Sequence, residues 1–536
     1  MKLIKYCTGV IFAAVSLLIS CNELDLAPTN KFTDLNYWTS EAKASSVLSM
    51  AYSQMFGSNY FFANERLSDN LYEGRGSTNE KIITSGQADA ALGRFSSEWN
   101  DCYGGIKTCH TLLDNIDRVP GMDESLKERM KAEARFIRAS LFFRLACHYG
   151  DVPLFDYSVT QSEANTIARS PKADVVDFVR TELNEIVGSL PTRQEYSDAD
   201  RGRISKAAVM TLLARTCLYE NDYANVALIC EKIINGDYGR YELFPSYEGL
   251  FLPDNEYNSE VILDMGYVLN LRTWGEFYDA IPLSVGGRVS GFSPTQELVD
   301  DYVMRNGKGI REAGSLYDED NPYDNRDPRF ALTVVYHGYT WVKGSTSSTI
   351  YIKPGTDPNT LTKLDEYAGP GQNSTGTGYY LRKYFDPEAP DGIAAGLNLI
   401  LMRYADILLM YAEAKNELGQ MSEEVWDQTI RLIRQRAGFS DASALDYPGA
   451  AGLQNIIRRE RRCELAIEGL RLFDIRRWKT IETVMNGHPH GARFAAGNTE
   501  YIVLDERRFD PERDYLFAIP QSERDINRNL TQNLKY

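Results

Sequence analysis

The chain has 536 residues and a formal net charge of −17, with 43% hydrophobic and 25% charged residues. This length and composition predict a folded globular protein rather than a disordered one. The acidic balance argues against nucleic acid or an anionic lipid surface as the main partner, because both are bound through a basic footprint. Tyrosine is abundant (33 Tyr against 22 Phe), and its apolar ring and polar hydroxyl suit wet binding surfaces.

The first twenty residues have the pattern of an export signal. Lys2 and Lys5 form a basic start, and residues 10–19 form an apolar run. A transmembrane helix needs about 20 apolar residues, so this run is too short to remain as a membrane span. We therefore expect a signal peptide over residues 1–20.

The sequence LISC, which ends at Cys21, resembles a lipobox. In a lipobox the cysteine thiol is diacylated and the cysteine becomes the new N-terminus, and two acyl chains suffice for stable membrane anchoring. We expect lipidation at Cys21 and a lipidated tether over residues 21–40. The alternative is a chance cysteine after an ordinary signal.

Residues 41–240 carry mainly helical periodicity. The spacing of apolar and small residues predicts helices over residues 41–56, 94–116, 124–149, 170–186, 207–219 and 223–234. Ser205 is a plausible N-cap, and Asn221-Asp222 forms the turn between the last two helices. This helix–turn–helix of about 34 residues resembles a tetratricopeptide unit.

Residues 241–399 differ in character from the helical part. They are rich in Gly, Pro, Asn, Tyr and Trp, with short β-like runs such as EVILDMGY, RFALTVVYH and STIYIK. Loops of this length are usually functional or disordered, so we expect a loop-rich ligand-binding lobe.

Residues 400–536 return to helices and then end in a tail. A helix pair like the first is predicted over residues 403–438, and a further helix over residues 453–468. The stretch DYLFAIPQSERDINRNLTQNLKY predicts a short strand, a turn and a tail. The two similar helix pairs are far apart in sequence, so the helical body is discontinuous along the chain.

The cysteines do not define a disulfide framework or a redox centre. Cys102 and Cys109 lie seven residues apart on a predicted helix, about 10 Å along its axis, which is too far for a bridge. Cys217 and Cys230 lie on neighbouring predicted helices, where either a bridge or two buried thiols would fit. No C-x-x-C occurs.

The order of six segments resembles the SusD/RagB family of outer-membrane nutrient-binding lipoproteins. The segments are CNELDLAPTNKFT, KAEARFIRASLFFRLACHYGDVPL, RISKAAVMTLLARTCLYENDY, LMRYADILLMYAEAKNELG, RRERRCELAIEGLRLFDIRRW and LFAIPQSERDINRNLTQN. The resemblance implies a mainly α fold, with a body of four tetratricopeptide-like helix pairs that supports an irregular ligand lobe containing short β elements.

The resemblance also implies a location and a partner. Glu23 and Asp25 are similar to the family's surface-export signal, so we expect a lipid-anchored outer-membrane protein that faces the cell exterior. In this family the lipoprotein closes over a SusC-type TonB-dependent transporter, and its ligand is usually a glycan. The expected function is capture of oligosaccharide and delivery to the transporter.

The segment RRERRCELAIEGLRLFDIRRW is the most charged part of the chain. Glu460, Glu464 and Glu468 recur every four residues with arginines between them. Such placement on a helix mostly forms ion pairs that fix structure, so a scaffold role is favoured over a catalytic one. A nucleic-acid role for RRERR does not fit the overall charge.

Tryptophans in glycine-flanked loops are the first candidates for sugar stacking. Trp274 in LRTWGEFYD and Trp341 in YHGYTWVKG are expected to resist full burial, and Tyr278 belongs to the first of these loops. Trp426 and Trp478 lie in scaffold motifs and are expected in the core.

The resemblance adds further candidate ligand residues. Trp99 resembles an aromatic residue at the start of a long helix whose counterpart contacts glycan in some relatives. RLSDNLYEGRG resembles a loop that supplies polar contacts in some relatives, which makes Asp69, Asn70 and Arg75 candidates.

Catalytic and metal motifs are not recognisable. The pair His488 and His490 lacks H-E-x-x-H spacing, and no G-x-S-x-G, P-loop or G-x-G-x-x-G occurs. We therefore predict a binding protein, not an enzyme, with no cofactor and no metal, although scattered loop Asp and Asn residues leave room for a structural calcium ion. Capture of peptides or glycopeptides, a surface glycosidase acting through two carboxylates, and a pure tetratricopeptide scaffold are the alternatives.

Overall fold

The computed structural model describes residues 37–389, 394–494 and 500–536. The predicted signal peptide, the lipidation of Cys21 and the tether up to residue 36 lie outside the described residues. Among the helices that are described, none combines the length and the apolar character needed to cross a bilayer.

Helices dominate the chain before residue 240. They are α1 (Glu41–Met55), α2 (Ser58–Arg66), α3 (Asn79–Thr84), α4 (Gly93–Asn115), α5 (Glu124–Tyr149), α6 (Gln161–Ala164), α7 (Lys172–Ile186), α8 (Lys206–Tyr219) and α9 (Tyr223–Ile234). The six predicted helices are confirmed to within two residues at each end, and α2, α3 and α6 are additional. Ser205 caps α8 as predicted, because its hydroxyl accepts from the Ala208 N–H at 3.4 Å.

The lobe contains short strands between long irregular segments. The strands of the whole described chain are β1 (Leu71–Glu73), β2 (Val261–Met265), β3 (Phe292–Pro294), β4 (Val334–Val335), β5 (Thr340–Lys343), β6 (Thr346–Thr349), β7 (Tyr380–Leu381) and β8 (Leu399–Arg403), with helices α10 (Gln296–Asp301) and α11 (Phe330–Thr333) among them. They form four antiparallel pairs, β1–β3, β2–β8, β4–β7 and β5–β6.

The three β-like runs predicted in the lobe differ in how much of each forms a strand. EVILDMGY forms β2, as predicted. RFALTVVYH is helical over Phe330–Thr333 before the two residues of β4, and in STIYIK the strand β6 ends at Thr349. The lobe boundaries at residues 241 and 399 remain predictions.

The C-terminal part is again helical. Its helices are α12 (Tyr404–Glu417), α13 (Glu423–Gln428), α14 (Ile430–Ala437), α15 (Ala442–Leu445), α16 (Leu453–Glu464), α17 (Arg471–Arg477), α18 (Ile481–Val484) and α19 (Gln521–Ile526). The second helix predicted over residues 403–438 is broken at Thr429. Helix α16 ends at Glu464, four residues before its predicted end, and the chain then turns through the left-handed Ile467 (φ 65°). The predicted strand in DYLFAIP does not form, and QSERDI is helix α19 instead.

Eight long helices of the described chain form a continuous row of neighbours. Each packs against the next in the order α1, α4, α5, α7, α8, α9, α12 and α16. The row has the eight helices that four pairs require, but its last pair differs from the pair predicted over residues 403–438, because α12 packs more extensively against α16 than against α13 and α14. The buried apolar side chains of this body and of the lobe belong to one hydrophobic cluster, so the helices hold the lobe through a shared core.

The charged motif of α16 is a buried ion-pair network, as the scaffold interpretation predicted. Arg403 on β8 binds Glu260 at 2.7 Å, Glu464 at 2.6 Å and Glu468 at 2.7 Å. Arg329 of the lobe binds Glu464 at 2.8 Å and Glu460 at 2.7 Å. The partners of these carboxylates come from other segments, so the network joins β8, the lobe and α16 rather than stabilising one helix.

The six cysteines in the described part of the chain are free thiols. Cys217 and Cys230 are both buried, which confirms the alternative of two buried thiols. Cys102 and Cys109 are also unbridged, as their separation predicted.

Candidate ligand-binding cleft

The two loop tryptophans are buried, contrary to the expectation from their glycine neighbours. Trp274 is 4% exposed and Trp341 is 1% exposed. The Trp274 indole N–H donates to the Leu397 carbonyl at 2.7 Å, and the Trp341 ring lies 4.8 Å from Phe385. The expectation that such residues resist burial is wrong, because both rings pack into the hydrophobic cluster that the lobe shares with the helical body.

Trp99 and Tyr278 are buried as well. Trp99 lies on the inward face of α4, with its ring 5.2 Å from Tyr149 and 4.9 Å from Tyr103. Tyr278 lies in a short 3-10 turn beneath the lobe surface. A glycan contact at these four aromatic residues stays a prediction, and in this conformation none of them offers a ring face.

Asp69 and Asn70 belong to the scaffold network. The Asp69 carboxylate binds Arg471 at 2.7 Å and Arg462 at 3.0 Å, and the Asn70 amide oxygen accepts from Arg462 at 2.9 Å. Burial alone would raise the pKa of Asp69, but the two arginines hold it well below its usual range. Arg75 is the predicted site residue that reaches the surface, and its guanidinium donates to Asn373 at 3.1 Å.

A polar cleft of ≈ 420 Å³ opens where α1, α2, α3 and α4 meet. Its rim consists of exposed side chains that can donate and accept hydrogen bonds: Ser53, Asn59, Asn79, Ser97, Asn100 and Asp101. Phe56 is half-buried in the wall and meets Tyr60 edge to face at 4.8 Å. This volume lies within the range of about 300–1,000 Å³ that is usual for small-ligand sites.

Helix α4 supplies one face of the cleft. Ser97, Asn100, Asp101 and Gly104 follow one another at i, i+3, i+4 and i+7, so they share one side of the helix. A methyl group on Gly104 would meet no atom within 4 Å, so the glycine keeps that end of the cleft wide. The prediction from the sequence named Trp99 on this helix but not Ser97, Asn100 or Asp101, although their spacing places these three on one face.

The floor of the cleft is part of a chain of alternating charges, in which Arg66, Glu80, Arg94 and Arg144 line the cleft and Glu73 and Glu98 pair with these arginines. It runs in the order Glu73, Arg66, Glu80, Arg94, Glu98 and Arg144, with successive ion pairs at 3.2, 3.7, 3.8 and 2.7 Å before the last contact, from Arg144 to Glu98. The Arg144 guanidinium lies 3.6 Å from the centre of the Tyr60 ring. Every arginine of this chain of charges has a carboxylate partner, so the floor is polar and its positive charges are paired.

Burial and these ion pairs shift the pKa values of the carboxyl groups in and beneath the cleft. Burial would raise the pKa of Glu98, but Arg144 and Arg94 outweigh it and lower the pKa to about 2. Burial raises the pKa of Glu73 to about 7 against the opposing charge of Arg66. Burial also raises the pKa of Asp101 on the rim.

A second aromatic surface lies in the lobe, beside the buried Trp341. The half-buried Tyr336 ring is parallel to Phe330 (5.2 Å, 9°) and stacks on Tyr323 (4.3 Å, 28°). Tyr339, also half-buried, meets Tyr336 edge to face at 5.6 Å. The segment therefore presents tyrosines where a tryptophan was expected, in keeping with the tyrosine-rich composition.

No group of three or more His, Cys, Asp and Glu residues within the described ranges is arranged to hold a metal ion. His490 pairs instead with Glu297 at 2.8 Å. The cleft thus offers hydrogen bonds and one aromatic wall as its means of binding.

The architecture and the cleft define a class of predominantly helical binding protein with a loop-rich lobe. A family model described as "SusD family" matches residues 272–536, and one described as "Starch-binding associating with outer membrane" matches residues 24–218. The chain belongs to the SusD/RagB family, and its mainly α SusD-like fold is confirmed.

Relatives resemble the chain over almost its whole length. A solved SusD-like carbohydrate binding protein of Bacteroides fragilis has a TM-score of 0.83 and 29% identity, covering 92% of this chain and 100% of that one. Another SusD-like protein of B. fragilis has a TM-score of 0.79 and 26% identity, covering 95% and 100%. A SusD-like protein of Formosa agariphila is 25% identical over 533 residues, 96% of each chain. The first of these relatives is named a carbohydrate binding protein, and the other two are named SusD-like proteins.

Proposed function

We propose that the protein captures oligosaccharide at the polar cleft and passes it to a SusC-type TonB-dependent outer-membrane transporter. The proposal includes lipid anchoring through Cys21 and exposure to the cell exterior. The mechanism is binding and release, in which no covalent bond of the ligand is broken.

The observation that carries the proposal is a floor of ion-paired arginines beneath a rim of amides, hydroxyls and the Asp101 carboxyl group. Sugar hydroxyls donate and accept hydrogen bonds but carry no charge, so they match Asn59, Asn79 and Asn100 better than an ionic ligand would. Because each buried arginine of the floor is already paired with a carboxylate, an anionic ligand would have to compete for it. Phe56 adds an apolar ring against which the C–H face of a pyranose can pack.

Two further observations support the glycan assignment. One of the two matching family models is described as starch-binding and associated with the outer membrane. A relative that covers 92% of this chain is named a carbohydrate binding protein. Arg75, the predicted site residue that reaches the surface, is not among the residues that line the cleft.

Calorimetry of the full-length chain against a panel of neutral oligosaccharides tests the cleft. The double variant Asn100→Ala/Asp101→Ala is expected to bind about tenfold to a hundredfold more weakly, because it removes one neutral and one charged hydrogen-bonding group. Thr111→Ala is the matched control, since Thr111 is exposed on the same helix about three turns away. The control should bind like the unmodified chain.

Several results would contradict the proposal. Equal affinity of the double variant and the control would remove the cleft as the site. Binding of peptides with no binding of any glycan would favour the peptide-capture alternative, and release of free sugar during incubation would favour an enzyme. Copurification with a transporter of the SusC type tests the delivery step separately from the cleft. Loss or reduction of that copurification in Cys21→Ala, which blocks lipidation, tests the anchoring step.

A further inference from the structure

A second polar cavity lies on another part of the molecule. It has a volume of ≈ 300 Å³ and is enclosed by residues 193–205, by Tyr257 and by strand β2. It shares no lining residue with the cleft. Asp198 and Arg201 are exposed and form its mouth, and Asp264 lies at its inner end.

Asp264 is a carboxyl group in an unusual position. It is 7% exposed in strand β2, and its Oδ2 accepts from the Asn398 amide at 2.9 Å. Burial raises its pKa to about 7. A buried acid without a close ion pair is costly for the fold, so its retention at a cavity wall favours a binding role.

The arginines around the cavity are already occupied. Arg193 donates to the backbone carbonyls of Tyr257, Asn258 and Val261. Arg201 pairs with Asp198, and Arg203 pairs with Asp200 and with Glu133 at 3.1 Å. Arg201 and Arg203 are therefore ion-paired, and the hydrogen bonds of Arg193 go to backbone carbonyls, whereas a hydroxyl donor would find the Asp264 carboxyl.

The backbone of Tyr257, in the wall of the same cavity, is strained. Its φ is 54°, a left-handed conformation that is rare for a bulky residue and costs on the order of 1–3 kcal/mol. The strained backbone turns the ring into the cavity, where it closes on Gly202. A Cβ on Gly202 would lie 2.7 Å from that ring, so this wall requires the glycine. Residues with strained backbone cluster at ligand sites, which motivates a binding role for this one.

We propose that this cavity is a second binding site, which takes one neutral pyranose-sized sugar. Its hydroxyls bond to Asp264 and to Ser197, and its ring packs against Tyr257 and Tyr196. A divalent cation fits less well, because the described lining brings only Asp198 and Asp264 as carboxylates and no cluster of three metal-binding residues. The site goes beyond the proposed function of the cleft and does not depend on it.

Ligand-observed saturation-transfer NMR on the full-length chain tests the proposal, with D-glucose, D-galactose, D-mannose and D-xylose as probes. At least one of them should receive saturation. Tyr257→Asn should weaken that binding at least tenfold without lowering the unfolding midpoint, because asparagine tolerates left-handed backbone better than tyrosine. Asp264→Asn keeps the size and the contact with Asn398, and it should weaken binding about threefold or more.

The cleft variant Asn100→Ala/Asp101→Ala separates the two sites. It should leave the monosaccharide signal unchanged while reducing oligosaccharide affinity. The proposal is overturned if none of the four sugars receives saturation, if both cavity variants bind as the unmodified chain does, or if the cleft variant abolishes the signal. Calcium binding that disappears in Asp264→Asn, with no sugar bound, would replace the proposal with a cation site.

Discussion

Trp341→Ala should destabilise the lobe while leaving glycan affinity unchanged in the folded fraction. The Trp341 side chain is 1% exposed, its ring lies 4.8 Å from Phe385, and the Arg382 guanidinium lies 4.6 Å from its centre. Truncating a buried tryptophan to alanine costs about 3–5 kcal/mol in lost burial and cavity formation. The ratio of folded to unfolded chain would fall by about two to nearly four orders of magnitude.

Trp341→Phe provides the matched comparison. The Trp341 indole N–H is buried and has no hydrogen-bond partner within the described parts of the chain, so phenylalanine removes an unsatisfied donor while keeping most of the ring. We expect a smaller cost than for Trp341→Ala, because fewer buried atoms are removed. Urea unfolding followed by tryptophan fluorescence and circular dichroism measures both variants, and calorimetry with an oligosaccharide is run below the unfolding transition.

The reverse result would refute this reasoning. If Trp341→Ala unfolds at the same urea concentration as the unmodified chain and loses glycan affinity, the ring is a ligand platform. The buried conformation would then not be the binding conformation, and the original prediction from the glycine-flanked loop would be restored.

The ion-pair network and the cleft floor lead to two more predictions. Arg403→Met leaves the carboxylates of Glu260, Glu464 and Glu468 without a shared partner, and it should lower the free energy of unfolding in urea by about 3–5 kcal/mol. The control Arg311→Met, on the exposed surface, should lower it by less than about 0.5 kcal/mol. Equal losses in the two variants would show that the network does not hold the lobe. Glu98 has an ordinary pKa of 4.5 that the folded chain lowers to about 2, so its contribution to stability is present above about pH 4.5 and is lost as the pH falls toward 2. Glu98→Gln should be less stable at pH 7 and should lose less stability over that acid range; an unchanged acid slope in urea titrations would count against the assigned pairing with Arg144 and Arg94.

Local signals were sufficient for most of the helical body. Helix α5 begins at Glu124 and ends at Tyr149 as predicted, because its start and its terminating Gly150 (φ 72°) are encoded by neighbouring residues. The repetition of Glu460, Glu464 and Glu468 also announced an ion-pair scaffold. The arginines that pair with these glutamates could not be predicted, because Arg329 and Arg403 lie more than fifty residues away along the chain.

Which aromatic side chains are buried, and which face of a helix lines the cleft, could be determined only from the tertiary structure. Glycine neighbours describe the local backbone of Trp274 and Trp341, whereas exposure depends on which distant side chains cover the ring, here Phe62 and Phe385. Helical spacing on α4 was readable, but not whether Trp99 or Asn100 faced the solvent. The sequence alone determined the helices, the family resemblance and the presence of a charged scaffold, because those rest on short-range spacing; only long-range packing decided where the cleft lies and which side chains line it.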